Sequence, residues 1–204
     1  MKYIKLLFIL IVTVISLFLL YGCAHDKEKV INHMNQAFGE DAYTMETDPQ
    51  NRDRWIITLK EYPQVPFHSN VFHDLITLGS PIVQTDFPVV FSKHVIEEYK
   101  QTTDIGSDKL IYYRPLFIYS TKVNSLEEIK TPYDKVQHFI AFVSEKYPIL
   151  VKQQVLAVRL DIEGLPAKDG DKEITVRMFS TREEKLTITS YEEFYTKVLS
   201  ELKR

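Results

Sequence analysis

The side chains in this sequence that offer acid, base or ligand chemistry at close spacing are His68, His73, Asp74, Asp86 and His94, together with one thiol, Cys23. Imidazole and carboxylate groups together bind zinc, and a histidine beside an aspartate, as in His73-Asp74, can serve as a base. On an extended segment, residues five apart point to opposite sides, so His68 and His73 share a metal only if the chain bends between them. The sequence contains no Gly-rich phosphate loop, no Gly-x-Ser-x-Gly elbow and no His-Glu-x-x-His. A small metal-dependent hydrolase built on the His68 to Asp86 region is therefore the alternative expectation. No cofactor is indicated.

Cys23 has a different setting. Lys2 and Lys5 give a short basic start, Leu6 to Leu20 is apolar apart from Thr13 and Ser16, and Leu20-Tyr21-Gly22-Cys23 closes the stretch. The apolar run is nearer the length of a signal core than the ~20 residues of a spanning helix. Residues 1–23 resemble the signal of bacterial lipoproteins, whose lipobox places a small residue before an obligatory cysteine. The resemblance implies that residues 1–22 are removed, that the Cys23 thiol carries a diacylglyceryl group, and that the rest of the chain lies on the extracytoplasmic side. The basic start, which stays inside, agrees with that orientation. It also takes the only thiol out of consideration as a nucleophile.

Composition narrows the rest. One cysteine means no internal disulfide, so stability must come from a packed core. At 204 residues with 45% hydrophobic content, the chain can bury such a core in one domain. Basic residues number 25 and acidic residues 28; without Lys2 and Lys5 the balance is 23 against 28, a formal charge of −5. Nucleic acid is an improbable partner for that charge, and so is a broad electrostatic grip on anionic lipid. The expected partners are membrane lipid through Cys23 and a protein or other envelope component.

The elements that must position these groups are read from periodicity. Residues 23–30 are expected to be the lipidated cysteine and a short polar tether, followed by one domain over residues 31–204. Val30, Ile31, Met34, Ala37 and Phe38 recur at helical spacing, and Gly39 suits the helix end. Residues 42–46 and Arg54 to Lys60 alternate as strands around a turn at Asp48 to Asn51, with Trp55, Ile57 and Leu59 on one face. Between Tyr62 and Phe91 four prolines predict edge strand and shaped loop. Phe67, His68, Phe72, His73, Asp74 and Phe87 in that stretch form the candidate partner surface. The competing expectation is that its phenylalanines plug the core.

A helix is predicted from Ser92, and the polar segment 102–109 is the candidate boundary between two halves. Leu110 to Tyr119 is expected as a strand interrupted by Pro115. Ser125 to Glu128 has a capping-box pattern, and Thr131-Pro132 opens a longer helix whose buried face is Val136, Phe139, Ile140, Val143 and Tyr147. Two alternating strands, 155–162 and 173–178, are joined through Asp169-Gly170, with a third at Lys185 to Thr189. Ser190 and Glu193 cap a closing helix. This order lacks a βαβ rhythm and predicts an α+β fold, an antiparallel sheet with helices packed on one face. With no catalytic motif present, the pattern favours a non-enzymatic binding or assembly module.

Overall fold

The computed structural model describes residues 26–73, 81–113, 115–168, 173–181 and 190–202. The fold is α+β, with five helices and two four-stranded sheets among the described residues. Two compact units divide the chain, one running through Phe87 and the other starting at Pro88. The division falls just after the first residue of the second helix (Phe87–Thr102), whereas the polar segment 102–109 begins at that helix's end.

In the first unit, helix α1 covers residues 26–38 and therefore includes most of the segment expected as a tether. Val30 and Met34, four residues apart on one face, are fully buried. Gly39 ends the helix at φ 104°, and its N–H donates to the Asn35 carbonyl at 3.0 Å, the glycine-specific helix stop that the sequence suggests. Strands β1 (Tyr43–Asp48), β2 (Asn51–Leu59), β3 (Phe67–Phe72) and β4 (Ile82–Thr85) follow as an antiparallel meander in sequence order. Trp55, Ile57 and Leu59 are buried, as the alternation of β2 requires.

One expectation is corrected here. β3 is an interior strand, paired on both sides, because Pro63, Pro66 and Pro81 all fall outside the strands and deny no ladder donor.

In the second unit, helix α2 (Phe87–Thr102) starts before the predicted Ser92. Pro88 is its second residue, where the missing N–H would have had no helical partner. Strands β5 (Lys109–Tyr113) and β6 (Leu116–Lys122) form a hairpin with Pro115 in the connection, not one interrupted strand. A short 3-10 turn, Leu126–Ile129, runs into α3 (Lys130–Lys146), and α4 (Pro148–Lys152) follows. Val136, Phe139, Ile140, Val143 and Tyr147 are all buried, as predicted. Ser125 makes no side-chain cap, and Glu128 instead accepts from the Asn124 N–H at 2.8 Å.

Strands β7 (Ala157–Glu163) and β8 (Glu173–Ser180) are antiparallel, but β7 lies parallel to β6, from Phe117 opposite Val158 to Lys122 opposite Glu163. The second sheet, β5-β6-β7-β8, is thus mixed. A parallel pair needs a crossover connection, and α3 with α4 supplies it. Helix α5 (Tyr191–Glu201) carries the full reciprocal capping box between Ser190 and Glu193 and buries Phe194 and Val198. Helices α3 and α5 contact β7 and β8 respectively. The Asp169-Gly170 turn and the Lys185 to Thr189 strand lie outside the described residues.

Candidate functional site

The structure gives each candidate histidine its own carboxylate. His68 stands half-buried on β3, between Phe67 and Ser69, which the alternation of the strand turns inward. Its backbone N–H donates to Asp86 Oδ1 at 2.6 Å, and its ring Nδ1 lies 3.3 Å from Asp86 Oδ2. Asp86 is held there because its own N–H donates to the His68 carbonyl at 3.1 Å, and the Thr85 hydroxyl donates to the same oxygen at 3.2 Å.

On the other side, His68 Nε2 is 3.9 Å from Asp48 Oδ2, and Arg54 Nε is 3.4 Å from the same oxygen. Asp48 follows a register shift at the end of β1, and its Oδ1 accepts the Gln50 N–H at 2.9 Å. Both ring nitrogens of His68 thus face carboxylates.

His73 is directed elsewhere. Its Nε2 is 2.8 Å from Asp26 Oδ2 at the start of the described part of α1, and Lys29 Nζ is 3.3 Å from Asp26 Oδ1. Burial alone would push the Asp26 carboxyl up, but the hydrogen bonds from His73 and Lys29 outweigh it, and its pKa is lowered. His94 Nε2, on α2, is 3.7 Å from Glu98 Oε2 one turn later. Glu98 also accepts from Lys146 and Tyr147, and the Lys146 hydrogen bond foremost holds its pKa below the usual carboxylate value. Asp74 lies outside the described residues, as does Cys23. Among the described residues, no group of three or more His, Cys, Asp or Glu side chains is placed to hold a metal ion.

The candidate partner surface divides by burial. Phe67 and Phe87 are 0% and 2% exposed and, with Phe38, form a triangle of edge-on and tilted rings at 5.1 to 5.8 Å. They belong to the core of the first unit, so the expectation that they face a partner is corrected. The alternation of β3 turns Phe67 inward with Ser69. Phe72 at the end of the same strand is 48% exposed.

Other exposed apolar side chains escape composition-based reading. Ile82 is 61% exposed on β4, and Ile111 and Tyr113 are 52% and 74% exposed on β5, an edge strand. The signal for the β5 pair is the alternation of 109–113, in which Leu110 is buried and Lys109, Ile111 and Tyr113 are not. A cleft of about 620 Å³ also opens between β8 and α5, bordered by Arg177, Glu193, Thr196, Lys197 and Ser200.

Two buried carboxylates serve the core of the second unit. Asp108 accepts from Tyr119 Oη at 3.0 Å, Thr121 Oγ1 at 2.6 Å and Lys135 Nζ at 2.6 Å. Asp161, 3% exposed, accepts from Arg159 at 2.7 Å and Thr175 at 3.1 Å. Burial, then Asp108, pushes the Tyr119 hydroxyl pKa well up. These groups are paired and hydrogen-bonded, as buried charges must be. No helix among the described residues is long and apolar enough to cross a membrane.

No family model, no curated protein and no solved structure matches this chain.

Proposed function

We propose that the chain is a lipid-anchored extracytoplasmic lipoprotein whose folded part is a non-enzymatic binding or assembly module of the cell envelope. The observation that carries this reading is the placement of Cys23: the only thiol among 204 residues stands directly after the apolar run, behind Gly22. Lipid attachment requires a thiol at that point, and nothing else in the sequence requires one anywhere. The binding role is supported by the exposed Ile111 and Tyr113 on the edge strand β5, since aromatic and aliphatic side chains beside unpaired strand backbone suit a protein or peptide partner. The metal-hydrolase alternative has no comparable observation behind it, because His68 and His73 are directed at different carboxylates.

Replacing Cys23 by alanine tests the anchor. Cys23→Ala protein is expected to take up no labelled fatty acid and to remain as uncleaved precursor in the producing cell. Normal labelling and processing of that variant would sink the reading. Elemental analysis of the purified parent addresses the alternative, and a stoichiometric transition metal would bring the hydrolase back.

A further inference from the structure

The contact between His73 and Asp26 joins the end of β3 to a point three residues after Cys23. Three residues reach at most ~11 Å when fully extended. On the lipoprotein reading, the end of β3 therefore stands against the bilayer surface. Two large apolar side chains occupy that end, Phe72 and Ile82, which are cross-strand partners and are 48% and 61% exposed. Single exposed apolar residues are ordinary on protein surfaces. This pair differs in its surroundings: strands β3 and β4 contain no Asp, Glu, Lys or Arg at all, although β4 is a sheet edge, where charge is the usual protection. Acidic residues are not absent from the neighbourhood: Asp74 follows His73 in sequence, Asp53 lies on the neighbouring strand β2 beside the Arg54 that pairs with Asn70, and Asp26, which contacts His73, also pairs with Lys29.

We infer that the Phe72–Ile82 end of the β3–β4 pair rests in the interfacial layer of the phospholipid bilayer that holds Cys23, as a second membrane contact beside the lipid. This rests on the lipoprotein reading. The two acyl chains of a diacylglyceryl group already give stable attachment, so this contact orients the domain on the bilayer and is not needed to hold it there. The contact also fixes which end of the first sheet faces the membrane.

Tryptophan quenching tests it in the full-length lipidated protein, reconstituted in phosphatidylethanolamine–phosphatidylglycerol vesicles with plain or brominated acyl chains. Trp55 is kept, because it is buried and the parent supplies its background. The added emission of Phe72→Trp is expected to fall roughly twofold or more in brominated vesicles, since interfacial side chains enter ~5–10 Å into the headgroup and acyl boundary. Ile82→Trp gives the same readout from the paired strand and covers the case in which the first variant folds poorly. Thr44→Trp, exposed on β1 at the opposite end of the sheet, is expected to show no quenching.

Equal emission in both vesicle types, with Cys23 labelled and the protein floating with the vesicles, overturns the inference and leaves the anchor standing. A blue shift that grows with protein concentration without vesicles also overturns it, in favour of a second copy covering the pair. Protein that neither labels nor floats removes the lipoprotein reading, and this contact with it.

Discussion

At the scale of single residues, the candidate stretch between Tyr62 and Phe91 contains two kinds of phenylalanine, and truncation separates them. Phe67 and Phe87 close the ring triangle with Phe38, so Phe67→Ala and Phe87→Ala are each expected to cost about 3 to 5 kcal/mol in urea unfolding. Phe72→Ala, half exposed, is expected to stay within about 1 kcal/mol of the parent. Equal losses at all three positions would contradict the burial described. Composition shows that the stretch is rich in aromatic residues, but inward and outward differ by one position along β3, and proline-rich flanks hide that register.

Glu98 gives a pH expectation. Its pKa lies below the ordinary value of 4.5, chiefly through the Lys146 hydrogen bond and then Tyr147. The contribution of this carboxylate to stability is therefore complete above pH 4.5 and is lost as pH falls through the lowered folded value. Glu98→Gln is expected to melt below the parent at neutral pH, and the gap is expected to shrink as the pH falls below that point. Parallel melting curves from neutral pH down to strongly acid conditions would mean that Glu98 contributes nothing through its charge.

At the scale of elements, periodicity is a good guide wherever one face of a helix or strand is buried. The stripe of α1, the alternation of β2, the apolar face of α3 and the Ser190 cap of α5 all stand where the residues indicate. Proline misleads wherever it does for one reason, that its effect depends on position. Pro88 suits the first turn of α2 and does not delay it, and Pro115 joins two strands where a single broken strand was expected.

Gly164 shows a constraint that no periodicity carries. It sits after β7 at φ 95°, and a Cβ there would lie 2.2 Å from the Val123 carbonyl oxygen. Gly164→Ala is expected to destabilise the protein by about 2 kcal/mol or more, read from the urea midpoint, since both the backbone angle and the contact oppose it. A neutral substitution would show that the loop after β7 can shift away from Val123.

At the scale of the whole molecule, composition indicates an α+β fold held together without disulfides, but not the partition into two sheets. Strand order is a long-range property: nothing in residues 116–122 announces that they lie parallel to 157–163. The lone cysteine is legible at this scale and carries a prediction. A reducing agent is expected to leave the thermal transition unchanged, because no disulfide can form within one chain. A transition that drops on reduction would reveal unacylated Cys23 joining two copies.

The parallel pairing of β6 with β7 also sets the order in which the molecule comes together. Every ladder of the first sheet joins strands adjacent in sequence, so each can close as soon as its second strand exists. β6 has to wait for α3 and α4 to be in place before β7 reaches it, and that loop closure makes the second sheet the slow one. A chain emerging amino terminus first would thus complete its first sheet early and stand for a time with β6 open along one edge. During that interval an open strand edge is exposed to edge-to-edge association.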